Sequence, residues 1–254
     1  MANQSGSSAA DAPRAVVNLA ALKTACSSCS LRELCMPVGL SPEQLERLDE
    51  LVYARKTVRR GESLFRSGDA FRSLYAIRSG FFKTRVAGGD GRDQVAGFHM
   101  TGEMLGIDGI GADRHVCDAV ALEDSELCVI PYTSLGEVSR RLEPLHRHFH
   151  KVMSREIVRD HSAMLMLGSM RAEEKLAVFL LDLSRRFAAR GFSPSEFVLR
   201  MTRGEIASFL GLKLETVSRL FSRFNSEALI AVRQKHVRIL DPSGLGKFAG
   251  GSCF

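Results

Sequence analysis

The chain of 254 residues lacks a long apolar run: no stretch approaches the ~18 apolar residues of a membrane span. It also lacks an early positive charge ahead of an apolar segment. Residues 1–22, MANQSGSSAADAPRAVVNLAAL, are small and polar, and Asp11 and Asn18 interrupt them. These absences argue against a secretory signal and predict a cytoplasmic protein with a disordered tail over 1–22. No internal repeat stands out. Net charge is missing from the first 170 residues, which hold 21 basic and 21 acidic side chains. Residues 171–254 hold 14 and 8, so the whole excess of +6 sits in the last third. A basic unit on a neutral body points to a polyanionic partner.

Cysteine is scarce as well. Of six in all, Cys26, Cys29 and Cys35 fall within ten residues, CSSCSLRELC; the others are Cys117, Cys128 and Cys253. In a reducing compartment such spacing reads as metal-binding or redox-active. Three thiolates on one short loop can hold three irons of a cubane, with a distant thiolate at the fourth corner. Structural zinc sites more often use two close pairs. A dithiol–disulfide switch is the remaining alternative. Cys253, beside the C-terminus, reads as a loose thiol. Leu34 and Met36 flank Cys35 and are placed to shield a cluster.

The residues that are present divide the chain. SPEQLERLDELV (41–52) predicts a helix with Ser41 at its cap and Pro42 at its first position. From about 56 to 135, glycines alternate with short apolar runs, the pattern of many short strands; AGGDGRD (87–93) marks a hairpin. From 141 to 167 glycine is absent, and Leu142, Leu145, Phe149, Val152, Ile157, Met164 and Leu167 recur at helical spacing. A helix of ~28 residues there would be ~40 Å long and predicts a partner helix. AEEKLAVFLLDLSRRFAAR (172–190) predicts another helix. HRHFH (146–150) places His146 and His150 one turn apart, which reads as a solvated flank rather than a metal site, and His99 reads as a packed strand residue.

Thr202 followed by Glu205 is a capping box, and Gly211 is a helix stop. A second helix over 214–226 completes a helix-turn-helix, and LIAVRQKHVRIL (229–240) adds two strands around a basic turn. In the second helix Val217, Leu220, Phe221 and Phe224 form a face to be buried. Glu215, Ser218 and Arg219 lie opposite. Arginine matches guanine N7 and O6, and a carboxylate accepts from cytosine N4, so this face is suited to a major groove. An ordinary surface helix with an i,i+4 Glu–Arg pair is the competing reading.

The motifs CSSCSLRELCMP, SLYAIRSG, GFHMTGEMLGIDGIG, LSRRFAARGFSP, MTRGEIASFLGL and ETVSRL are similar to those of the FNR branch of the CRP/FNR superfamily of bacterial transcription regulators. The resemblance covers roughly residues 24 to 245. It implies an α+β chain: an N-terminal β-roll of cyclic-nucleotide-binding type (23–140 with the cysteine loop), a dimerisation helix (141–170), a winged helix-turn-helix (171–245) and a tail (246–254). It implies an oxygen-labile [4Fe–4S] cluster on Cys26, Cys29, Cys35 and, in LCVIP, Cys128; Cys117 matches no ligand. It implies base reading by Glu215, Ser218 and Arg219, a homodimer when cluster-loaded, a double-stranded DNA palindrome resembling TTGAT-N4-ATCAA, and recruitment of RNA polymerase at genes of anaerobic metabolism. Gly102-Glu103 matches half of the cyclic-AMP motif of the CRP branch, but no Arg-Ser follows, so no cyclic nucleotide is expected.

The apolar stripe of the long helix has one polar interruption of consequence. Asp160 lies between Ile157 and Met164, where a two-fold seam would set it against its own image. Two like charges taken out of water cost at least several kcal/mol before relaxation. Ile157, Asp160 and Met164 are therefore expected to form a dimer switch that needs outside support. Two other classes compete with an oxygen-sensing regulator. One is a helix-turn-helix regulator switched by disulfide or zinc; the other is an iron–sulfur enzyme or electron carrier, against which the reading helix argues.

Overall fold

The computed structural model describes residues 29, 32–49, 51, 54–88 and 93–249. Cys26, Cys253, the predicted tail over 1–22 and the tip of the hairpin at 89–92 lie outside them.

Two short helices, α1 (Arg32–Cys35) and α2 (Pro42–Asp49), lead into the roll. Ser41 caps α2 reciprocally: its Oγ accepts from the Gln44 N–H at 3.3 Å, and its own N–H donates to Gln44 Oε1 at 3.0 Å. Eight strands follow: β1 (Ala54–Val58), β2 (Ser63–Phe65), β3 (Ser73–Ser79), β4 (Phe81–Ala87), β5 (Asp93–Met100), β6 (Met104–Leu105), β7 (Asp118–Ala121) and β8 (Ser125–Pro131). They form two antiparallel sheets, ordered β1-β8-β3-β6 and β2-β7-β4-β5. Phe82, Ile77, Leu127 and Ala119 fill the space between the sheets. β4 and β5 pair from Phe81↔Met100 to Ala87↔Asp93, on either side of the predicted hairpin tip.

Alternation along β8 sorts its side chains. Leu127 points into the roll, whereas Cys128 and Ile130 point out. They join a second core with Met36, Leu48, Leu74 and Leu145. That outer layer is made by α1, α2, α3 (Tyr132–Arg141) and α4 (Glu143–Ser169). α4 starts anew after Leu142, whose backbone is non-helical, with Pro144 in its first turn.

The apolar stripe of α4 divides. Leu145 is buried and Phe149 and Val152 pack on the roll, while Ile157 is 56% and Met164 68% exposed. Val158, Leu165 and Leu167 are also exposed. The stripe therefore serves two surfaces, the roll first and a bare face beyond it.

The C-terminal unit consists of α5 (Ala172–Ala188), β9 (Glu196–Val198), α6 (Arg203–Leu210), α7 (Leu214–Ser226), β10 (Ile230–Arg233), β11 (His236–Ile239) and α8 (Pro242–Phe248). The predicted two-stranded wing gains a third strand, because β9 pairs with β11. α8 spans residues on both sides of the 245/246 boundary read in the sequence; Asp241 caps it, and Leu245 is fully buried. The core of this unit continues into the roll. Phe98 of β5 packs on Phe179 and Phe209, with ring centroids 6.0 and 5.3 Å away. The free edge of β5 is met by α6: the Val95 N–H donates to Ser208 Oγ at 2.9 Å, and Gln94 Nε2 donates to the Ser208 carbonyl. An edge strand is thereby covered rather than exposed.

Candidate functional site

Two sites emerge, one around the cysteines and one on α7. Cys35 ends α1, Cys29 lies just ahead of that helix, and Cys128 projects from the outward face of β8. All three are half-buried, unoxidised and close enough to influence one another electrostatically. Burial, and then the neighbouring Cys128 and Cys29, push the Cys35 thiol up to about 12. Burial also raises Cys128, with Cys29 adding to it and Arg78 and Arg55 opposing. Cys35 and Cys128 therefore hold their protons at neutral pH unless a positive centre displaces them, as a metal ion or cluster iron does.

The donor set suits a thiolate-bound centre: Cys35 and Cys128 border one apolar layer, Cys29 is near enough to act on both electrostatically, and buried Met36 and Leu34, which rests on Gly102, lie beside them. Cys26, three residues before Cys29, lies outside the described residues. Among those described, no three His, Cys, Asp or Glu residues already form a metal-sized nest.

Cys117 is placed elsewhere. It faces the roll interior, and its Sγ donates to Asp108 Oδ2 at 3.4 Å. Burial, then Asp108, raise its pKa. Asp108 also takes the Val116 N–H at 2.8 Å and lies 3.3 Å from His115 Nδ1, so Cys117 belongs to a buried turn around one carboxylate.

The histidines of HRHFH separate by face. His146 and His150 are exposed, with rings edge-on at 4.3 Å. His148, between them, turns towards the cysteine loop and hydrogen-bonds to the backbone of Cys35; its Nε2 is buried without a partner among the described residues. Its pKa is lowered, chiefly by burial. The exposed pair is the solvated flank expected, whereas His148, two residues along, lies on the opposite side of the helix.

On α7, Val217, Leu220, Phe221 and Phe224 are buried, and Glu215, Ser218 and Arg219 are exposed. Glu215 sits in the first turn, where a carboxylate is favoured by the helix dipole. Glu215 and Arg219 make no ion pair with each other among the described residues, so neither is tied up by its neighbour one turn away. Thr202 Oγ1 accepts from the Glu205 N–H at 3.2 Å, and the Thr202 N–H donates to Glu205 Oε2 at 2.6 Å. Gly211, at φ +62°, ends α6 and makes the turn into α7.

One residue on this surface escaped the sequence reading. The Arg203 guanidinium lies over the Phe221 ring at 3.1 Å, with Nη1 buried and unpartnered among the described residues. Burial lowers its pKa to about 10. Stacking on an aromatic holds it in place at the start of α6. Gln234, at φ +55°, and Lys235 form the turn between β10 and β11, the basic tip expected from the sequence.

Ile157, Asp160 and Met164 share the bare face of α4. Asp160 is exposed and makes no ion pair among the described residues. Its neighbour Arg159 turns away, to Glu156 at 3.0 Å and Glu103 at 3.5 Å.

Comparisons with known proteins agree with both halves of this architecture. Residues 55–141 match the cyclic nucleotide-binding domain, and residues 174–248 match the Crp-like helix-turn-helix domain. The chain is 49% identical over 225 residues to the transcriptional regulatory protein btr of Bordetella pertussis, covering 89% of this chain and 93% of that one. It is 46% identical over 227 residues to the transcriptional activator protein Anr of Pseudomonas protegens, with 89% and 93% covered. Against the fumarate and nitrate reduction regulatory protein of Escherichia coli K12, identity is 43% over 225 residues, with 89% and 90% covered. Among solved structures, FixK2 of Bradyrhizobium japonicum shares the fold, with a TM-score of 0.73 at 24% identity over 79% of this chain and 98% of that one.

Proposed function

Because the chain belongs to the FNR-type branch of the CRP/FNR superfamily of transcription regulators, we propose that it is an oxygen-sensing regulator whose Cys26, Cys29, Cys35 and Cys128 hold a [4Fe–4S] cluster. The observation that carries this reading is that Cys35 and Cys128 border one apolar layer with Cys29 near enough to act on both, whereas Cys117 is turned into the roll interior. When bound, such a cluster supplies an oxygen-labile inorganic core that demands four thiolates.

The chain's own residues do the rest. The cysteine loop and β8 close around the centre, so α1 is held against the roll and against α4 through His148. The bare face of α4, with Ile157 and Met164, takes a second copy of the chain, and Asp160 keeps that association conditional. A dimer presents two α7 helices, in which Glu215, Ser218 and Arg219 read the two halves of a palindrome resembling TTGAT-N4-ATCAA. RNA polymerase is the further partner at such promoters. Cyclic nucleotide has no place in this reading. The only half of its motif that is present, Gly102-Glu103, has its carboxylate committed to arginines of the same chain.

The test is to purify the full chain without air and measure iron, acid-labile sulfide and visible absorption. Close to four irons and four sulfides per chain, with a broad visible band that bleaches in air, supports the proposal. A colourless protein with one zinc per chain overturns it in favour of a zinc site.

A further inference from the structure

Glu103 is a carboxylate held inside the protein by three arginines. Arg186 grips it with a fork, Nε 3.1 Å from Oε1 and Nη2 2.8 Å from Oε2. Arg190 Nη2 lies 2.6 Å from Oε1, and Arg159 Nη2 3.5 Å from the same atom. The Met100 N–H adds a bond at 3.2 Å. The side chain of Glu103 is only 8% exposed.

The arginines come from different parts of the molecule. Arg159 is on α4, one residue before Asp160. Arg186 is on α5 and Arg190 just beyond it, in the unit that carries α7. Arg186 also donates to the Phe98 carbonyl at 2.6 Å, and Arg190 donates to the Thr101 carbonyl. One acidic side chain of the roll thus meets both the helix with the bare apolar face and the first helix of the DNA-binding unit. A buried charge satisfied by fork geometry resists sliding, because any shift leaves guanidinium and carboxylate mismatched out of water.

The turn that carries Glu103 also touches the cysteine loop. Gly102 takes φ +83°, and a Cβ there would stand 2.6 Å from Leu34 Cβ and 3.0 Å from Leu34 Cδ1. Only glycine accepts both that conformation and that approach. Leu34 is the residue next to Cys35. A cavity of about 390 Å³ runs along this junction, with Leu34 and Cys35 on one wall and Glu103, Arg159, Arg186 and Arg190 on the others. A displacement of the loop at Leu34 therefore bears directly on the backbone beside Glu103.

We propose that Glu103 is the positioning residue that couples the state of the cysteine loop to α4 and α5, and through α5 to the reading helix. This rests on the reading above that the loop holds an oxygen-labile cluster. Cluster loss frees the loop, Leu34 withdraws from Gly102, and the Glu103 fork loses its alignment with Arg186 and Arg190. The arginines then no longer fix α5 against the roll.

The test uses the full chain, prepared without air and after exposure to air. Its readouts are iron content and affinity for a palindromic TTGAT-N4-ATCAA duplex. In the parent, affinity falls on cluster loss. Glu103→Gln keeps the shape but not the charge; it should retain parental iron while the ratio of loaded to unloaded affinity shrinks by about tenfold, within the range of couplings between protein sites. Arg190→Gln, which touches the same carboxylate from the α5 side, should shrink the ratio too, and the double variant should add little to either. A Glu103→Gln protein with parental iron and a parental ratio overturns the proposal, as does one that loses its iron. Should Glu103→Gln fail to fold, the ratio in Arg190→Gln decides by the same criterion. A parent with no ratio at all overturns the cluster reading itself, and this coupling with it.

Discussion

Lys83 on β4 reaches Glu205 on α6 at 2.7 Å, joining the roll to the helix-turn-helix across 122 residues of sequence. Glu205 is at the same moment the reciprocal partner of Thr202 in the α6 capping box. Removing Glu205 therefore costs two interactions, and removing Lys83 costs one. Glu205→Ala, which leaves the Thr202 cap in place, should destabilise the chain by about 1–2 kcal/mol, the sum of an ion pair and of a hydrogen bond to the Thr202 N–H. Lys83→Ala should cost about 1 kcal/mol or less, as for a partly exposed ion pair. Thermal unfolding of the two variants side by side is the check; equal losses would mean that the Glu205 half of the capping box contributes nothing.

On the reading face, Arg219→Ala and Glu215→Ala should each weaken binding to the specific palindrome by about 1–3 kcal/mol. Binding to a scrambled duplex should survive, because it depends on phosphate contacts made by other basic residues. Anisotropy titrations with both duplexes at one salt concentration distinguish the two. Equal loss on both would assign these side chains to phosphate.

The cysteines divide by the side of the roll they face. Cys128→Ala should abolish iron binding, since Cys128 faces α1 and Cys35, whereas Cys117→Ala should leave iron content unchanged. Iron analysis after anaerobic reconstitution decides. Loss of iron in the Cys117 variant alone would reverse the assignment.

How far the sequence carried these conclusions depended on the range of the signal. Thr202, Glu205 and Gly211 form their helix–turn–helix from contacts three or four residues apart, so their pattern predicted the observed α6 and α7. Cys128 was singled out by the resemblance carried by LCVIP; that it faces away from Leu127 is seen only once β8 is paired within the roll. The strand β9 was missed because three residues, Glu196–Val198, form a strand only when β11 is beside them. His148, Arg203 and the arginines around Glu103 were missed because their partners lie on other elements. Spacing shows that the α4 stripe is apolar; it does not show that Leu145 meets the roll while Met164 meets none of the described core.

The exposure of Ile157 and Met164 around Asp160, which makes no ion pair among the described residues, leads to a direct expectation. Asp160→Ala removes the mirrored carboxylate, so this variant should dimerise without a cluster and in air, where the parent stays monomeric. Sedimentation velocity reads the difference. A variant as monomeric as the parent would take Asp160 out of the seam.

Acid should weaken the fold through His99. Its Nε2 has Thr84 Oγ1 at 3.3 Å, its Nδ1 is buried without a partner among the described residues, and burial pushes the imidazole down to about 3. The unfolded chain takes up that proton near the ordinary 6.5. Between those values the unfolded state binds more protons, so stability contributed by the neutral imidazole is present above 6.5 and is lost as pH falls towards 3. His99→Leu should flatten the decline of the thermal midpoint on acidification from neutral pH. Parallel curves for parent and variant would show that His99 does not set it.

The central claim joins the cysteines at one end of the chain to DNA reading at the other. One measurement addresses it most directly: a titration of the TTGAT-N4-ATCAA duplex with a single preparation of the full chain, run without air and again after air has bleached it, with dimer content followed in parallel. The account predicts tight, sequence-selective binding by a dimer in the first run. In the second it predicts a monomer whose affinity for that duplex falls to that for a scrambled one. Equal affinity and equal dimer content in both runs would contradict it.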